Sequence, residues 1–221
     1  MKFSKWLFVF VSLCCFMPSS RAVKMQDLNL DQLLKTADQF CDDGNYPSCL
    51  GMLDFALEKK AQTKEQKISV YLSLSGNNGK AGNFQAEVDY AKKALALDPN
   101  NFVGLSNLGV GLMGIQQMDE SEKTFKKLSE LDPTSPVAFY QLGVLFEQKR
   151  NDELALSNYL QATKLNPSFV DAHYNLAMVY ARKREFSKAV EAMKIAKKHA
   201  PKDQDIAQML MRLEMDLKKK K

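Results

Sequence analysis

The chain has 221 residues with 31 basic and 26 acidic side chains, a formal net charge of +5. No basic stripe interleaved with aromatics runs through it, which excludes nucleic acid as a partner. Two histidines, no serine or cysteine nucleophile in a recognisable motif, and no Gly-x4-Gly-Lys-Ser/Thr phosphate loop leave no candidate for catalysis, metal binding, a cofactor or a small-molecule substrate.

Residues 1–22 read as a cleavable secretory signal. Lys2 and Lys5 give a positive start, and Trp6 to Met17 is an apolar run shorter than the roughly 20 residues of a membrane span. Ser20 and Ala22 hold the small-residue spacing that a signal peptidase favours. The alternative is an uncleaved N-terminal membrane anchor; Leu13 before Cys14 fits a lipoprotein site poorly. The expectation is an exported chain, periplasmic or secreted. Lys2, Lys5 and Arg21 would leave with the signal, so 28 basic residues remain against 26 acidic ones, and Lys218 to Lys221 form a solvated basic end. Residues 23–29 are a linker.

Beyond the linker the chain repeats. Pro99, Pro133, Pro167 and Pro201 are spaced by 34 residues, and 136–169 overlays 170–203 without a gap: Leu142 on Leu176, Gly143 on Ala177, Phe146 on Tyr180, Ala155 on Ala189, Tyr159 on Met193, Ala162 on Ala196. Each unit carries two apolar stripes at helical spacing, and its proline, which cannot continue a helix interior, closes it. A fixed period of this length marks a solenoid.

These positions resemble the tetratricopeptide repeat: a large apolar residue, Leu-Gly/Ala and an aromatic in a first helix, then Ala, an aromatic and Ala in a second, then Pro. The resemblance implies an all-α, right-handed solenoid of stacked helix-turn-helix units. Five units follow from it, 30–63, 68–101, 102–135, 136–169 and 170–203, with 204–221 as a capping helix and lysine tail. Ala37, Ser75, Gly109, Gly143 and Ala177 recur where a bulky side chain would hold the two helices apart.

Unit 30–63 is degenerate, with Ala61 in place of the proline and four extra residues, Lys64 to Lys67, before the next unit. In the repeat frame Cys41 and Cys49 flank its turn and face each other across antiparallel helices. They read as a disulfide, suited to an oxidising compartment; the other reading is two small buried packing residues. Unit 68–101 departs from the pattern at Asn78 and Glu87. Its run Gly76-Asn77-Asn78-Gly79 reads as a weak or kinked first helix, or as a place where a ligand backbone approaches closely. His173 occupies a packed aromatic position, and His199 sits in the last turn of a helix. In the final helix Ile206, Met209, Leu210, Leu213 and Leu217 make one stripe, with Met211 and Met215 on the opposite face.

The resemblance also implies a concave face lined by the first helices, where relatives bind a peptide segment. Here it comprises Val103, Asn107, Val110, Met113, Val137, Tyr140, Gln141, Val144, Tyr174, Asn175 and Met178. Apolar and tyrosine side chains supply area to bury there, and the amides can pair with a peptide backbone. Asn107 and Asn175 have a second reading, as ties between neighbouring units. The lysine and arginine of a carboxylate clamp are missing from these positions. The expected function is a non-catalytic adaptor binding another protein during envelope assembly or secretion. The alternatives are a structural protein that self-associates through Met211 and Met215, and a non-catalytic subunit of an enzyme complex.

Overall fold

The computed structural model describes residues 25–219; the signal expected over 1–22 lies outside them. Among the described residues there are eleven α-helices and no strand. A 3-10 turn, Met25–Asp27, precedes α1 (Leu30–Asp42), α2 (Tyr46–Lys59), α3 (Lys64–Lys80), α4 (Phe84–Leu97), α5 (Phe102–Gly114) and α6 (Met118–Leu131). Then come α7 (Pro136–Gln148), α8 (Asp152–Leu165), α9 (Val170–Arg182), α10 (Phe186–His199) and α11 (Gln204–Lys219). The fold is a helical solenoid of stacked helix pairs. It divides into two compact units at Asn107 and Leu108, within α5.

In the first unit each helix from α1 to α4 packs on the next. Leu33, Ala37, Leu53, Ala56, Val70 and Leu74 form its buried floor. Cys41 and Cys49 are both buried and their sulfurs are joined, closing the turn between α1 and α2. The extra residues Lys64 to Lys67 are the first turn of α3, a correction to their placement between units. Thr63 starts that helix by a capping box: its side chain accepts from Gln66 N, and Gln66 Oε1 accepts from Thr63 N at 3.0 Å.

The α3 helix runs through Gly76–Gly79 without a break. Gly79 has a packing reason. A Cβ on it would stand 2.5–2.6 Å from the carboxyl of Glu87, which lies 3% exposed on α4. Glu87 Oε2 has no hydrogen-bond partner, and burial pushes its carboxyl up to about 7.

In the second unit each helix from α6 to α11 packs on the next. The small residues set how closely each pair approaches. A Cβ on Gly143 would meet the ring of Tyr159 at 2.5 Å, and one on Gly109 would run into the ring of Phe125. Both rings are fully buried. Ser121 Oγ adds a bond of 2.7 Å to the carbonyl of Gly109, tying α6 to α5. The α11 helix lays Ile206 and Leu213 into the end of the stack, and Met211 and Met215 are 57% and 55% exposed on its outer face.

The first helix of all five pairs ends in one way. Gly44, Gly82, Gln116, Arg150 and Arg184 have φ between +57° and +79°. The residue after each donates back to the last turn, as in Asn45 N to Phe40 O, Asn83 N to Asn78 O and Asn151 N to Phe146 O, at 2.7–2.8 Å.

Protein from an oxidising compartment should show no free thiol at Cys41 or Cys49. The short closed loop contributes about 2–3 kcal/mol by the loop-length rule. Reduction should speed hydrogen exchange in α1 and α2 while leaving α7–α10 protected, because solenoid energetics are nearest-neighbour. Uniform acceleration along the chain would contradict this.

Glu87 makes the first unit sensitive to pH. Its folded carboxyl titrates near 7 against 4.5 for the free group, so between those values the native state holds the extra proton. Stability should therefore fall as pH rises through that window, by up to about 3 kcal/mol. Glu87→Gln should remove the slope in chemical-denaturation midpoints measured from pH 4 to 8.

Gly143→Ala gains up to about 1 kcal/mol in helix propensity, but the new methyl overlaps the Tyr159 ring, an overpacking cost of about 1–3 kcal/mol. The substitution should lower the melting temperature in the wild-type background and be neutral or better with Tyr159→Leu. Equal effects in the two backgrounds would show that the ring does not set this spacing.

Candidate functional site on the face of α7 and α9

The site is built outward from Tyr159. Its ring lies beneath Gly143, and its buried hydroxyl reaches between α7 and α9, where it donates to Glu147 Oε2 at 2.8 Å. The amide of Asn175 donates to the hydroxyls of both Tyr159, at 3.3 Å, and Tyr140, at 3.4 Å. Glu147 Oε1 accepts from Arg182 Nη1 at 2.6 Å, and Arg182 Nη2 donates to Asp152 Oδ1 at 2.8 Å. The Tyr140 ring packs against Phe169 at 5.0 Å and Tyr159 at 5.9 Å between centroids. Burial pushes both phenols up, so each keeps its proton. One polar chain therefore joins α7, α8 and α9 and fixes the base of the face.

Above that base, Val137 is exposed, and Tyr140, Gln141, Val144, Tyr174 and Met178 are half-buried. Val137, Tyr140, Gln141 and Val144 fall at i, i+3, i+4 and i+7, one face of α7. Tyr174 and Met178 are four apart on α9. The structure thus leaves an apolar and aromatic strip over a hydrogen-bonded polar floor.

Not all the expected residues contribute. Met113 is 7% exposed and belongs to the core, a correction to its place on the binding face. Asn175 spends its amide on the two tyrosines. Asn107, in the first unit with the exposed Val103, donates to the carbonyl of Leu72 at 3.4 Å. Both asparagines thus serve as ties between successive helix pairs, the second of the two readings given them. Val110 is half-buried on α5. The Glu147–Arg182–Asp152 chain was missed in the sequence. Its signal was an acid at the end of one first helix and a cation one repeat later. Asp171, also missed, carries a charge close enough to raise the Tyr140 phenol further.

Elsewhere, His173 is buried with Nε2 3.0 Å from the Pro167 carbonyl, and burial pulls its pKa down, in keeping with a packed residue. Among the described residues no three acids, histidines or cysteines gather to hold a metal ion. None of the described helices is long and apolar enough to cross a membrane.

A tetratricopeptide-repeat profile matches residues 145–183, and a second matches residues 170–203. No curated protein matches the chain in sequence. Among solved structures, a thermophilic tetratricopeptide-repeat protein of Thermus thermophilus is similar with a TM-score of 0.71 at 18% identity. That match covers 85% of this chain and 98% of the other. The MamA protein is similar with a TM-score of 0.56 at 28% identity, over 69% of this chain and 83% of that one. YrrB, described as a tetratricopeptide-repeat protein with an unusual peptide-binding site, gives 0.54 at 21% identity, over 82% and 91%. Residues 145–203 are tetratricopeptide repeats, and the chain shares the fold of the tetratricopeptide-repeat protein of Thermus thermophilus.

Proposed function

We propose that the protein is a non-catalytic adaptor that binds a segment of a partner protein along the α7–α9 face, in an exported compartment, during envelope assembly or secretion. Tetratricopeptide-repeat proteins are in general interaction modules that bind peptides or proteins. The observation that carries the choice of face is the strip of Val137, Tyr140, Val144, Tyr174 and Met178, half-buried to exposed. It lies over a floor whose polar groups are already paired with one another. Such a floor loses few bonds when water leaves, so burying the strip against an apolar segment is favourable. The hydrogen bonds of that floor are already made before binding, which lowers the ordering cost. Export and the envelope role rest on residues 1–22 and on the cystine of the first unit.

Photo-crosslinking tests this reading. A photoreactive residue at Val144 or Met178 should capture one partner in living cells, whereas the same residue at Ser157, exposed on α8, should not. Tyr174→Ala should weaken that partner's affinity about tenfold, the size of a truncated interface aromatic, without lowering the melting temperature by more than a few degrees. Equal capture from both positions would place binding elsewhere.

Met211 and Met215, exposed on α11, favour a second reading in which solenoids join through that helix. Light scattering separates the two: a monomer over a wide concentration range removes self-association.

A further inference from the structure

The charges of the chain are unevenly spread along it. From Arg182 to Lys221 there are 13 basic side chains against 6 acidic ones, whereas residues 23–181 carry 15 against 20. The small net charge of the whole therefore covers a cationic part that contains α10 and α11.

The α11 helix has two faces. Ile206 and Leu213 are buried in the stack. Gln204, Gln208, Met211, Met215 and Lys218 fall at i, i+4, i+7, i+11 and i+14, and all five are exposed, so they form the opposite line. Arg212 and Lys219 are exposed beside that line, and Lys220 and Lys221 follow in the sequence. The α10 helix adjoins this surface, because Lys194 reaches Glu214 at 3.5 Å. Lys198, one turn further along α10, is exposed.

Two exposed methionines thus stand among cations whose charge is largely uncompensated. Glu214 is paired with Lys194, and Asp216 lies 3.7 Å from Lys219. Asp205 is more than three turns away from Lys218 along the helix. Lys198, Arg212 and Lys218 have no ion pair among the described residues.

The charge decides what covers the methionines. A second copy seated there would bring two cationic surfaces together, and like charges oppose that contact. The cover must be anionic. A folded acidic protein is held by a shaped pocket around buried anchors, but here the methionines ride on the outer line of a single helix. Methionine is flexible and fits an irregular medium. A run of lysines beside exposed apolar side chains on an amphipathic helix suits a layer of lipid phosphates. No described helix is long and apolar enough to cross a membrane, and the buried face of α11 is used within the stack, so the helix lies on the layer.

We propose that the outer face of α11, with the adjoining edge of α10, rests on an anionic phospholipid surface. Met211 and Met215 enter the headgroup layer, and Arg212 and the lysines from Lys218 onward pair with lipid phosphates. The surface does not depend on binding at the α7–α9 face. It uses the methionines that self-association would use, and the test separates the two.

Methionine oxidation reports the contact residue by residue, because sulfoxide forms where peroxide reaches the sulfur. The full chain is treated with dilute hydrogen peroxide, and sulfoxide at Met211 and Met215 is followed by peptide mass spectrometry. The probes are phosphatidylcholine vesicles, vesicles of phosphatidylcholine and phosphatidylglycerol in equal parts, and soluble polyglutamate. The anionic vesicles should slow oxidation of both methionines several-fold, and about 0.5 M sodium chloride should remove the protection by screening. Phosphatidylcholine vesicles and polyglutamate should leave the rates unchanged. The readout is local, so lipid binding by residues 1–22 does not imitate it. With Lys218→Gln, Lys219→Gln, Lys220→Gln and Lys221→Gln combined, the anionic lipid needed for half-protection should rise at least about tenfold. The melting temperature should stay the same. The inference is overturned if anionic vesicles give no protection, or if phosphatidylcholine protects as well. Equal protection by polyglutamate would assign the surface to an acidic protein. Protection by raising the protein concentration without lipid would assign it to a second copy.

Discussion

The contact of the Tyr159 ring with the bare backbone at Gly143 is the constraint on which the second unit depends. Short helices are marginal alone, so each must find a partner close enough to bury its apolar side. A glycine at the contact lets the partner's aromatic ring fill the space between two backbones. Phe125 under Gly109 repeats the arrangement, and Ala177 opposite Met193 is a milder version in the same frame. Once the ring is placed, its hydroxyl reaches Glu147 and Asn175, so an apolar contact also fixes the polar chain that runs to Arg182 and Asp152.

Much of this was legible in the sequence, because side-chain size carries it. The small residues, the rings and the prolines recur at a fixed spacing, and the helix pairs follow. The turns were not legible. Gly44, Gly82, Gln116, Arg150 and Arg184 adopt one left-handed conformation, yet their side chains share nothing. That repeat is written in backbone hydrogen bonds. The length of α3 was also hidden, because Lys64 to Lys67 read as an insertion until the Thr63–Gln66 cap placed them inside the helix. Glu87 and Gly79 each looked like a departure from the pattern. Together they are one compensated substitution, a large acid matched to a missing side chain.

The candidate site was partly legible for a related reason. The frame gives which residues face outward from a first helix, but not what their polar groups already bind. Asn107 and Asn175 looked available to a ligand and are used within the fold. Met113 sits at a groove position in the frame and is drawn into the core. The exposed ion pairs that clasp successive helices, Lys149 with Asp119 and Glu122, and Lys183 with Glu153, follow the same period. In solvent each contributes less than about 1 kcal/mol, so they serve register more than stability. The ring contacts hold the stack, and the remaining outward apolar positions are left to meet a partner.

The most direct measurement of this account is proton NMR of the Tyr159 side chain. A ring clamped between Gly143 and its own helix, with its hydroxyl bonded on two sides, should flip slowly enough to separate the resonances of its two edges. Its hydroxyl proton should exchange with water slowly enough to be seen. A single averaged pair of ring signals together with an unobservable hydroxyl proton would contradict the claim that this contact holds the helices together.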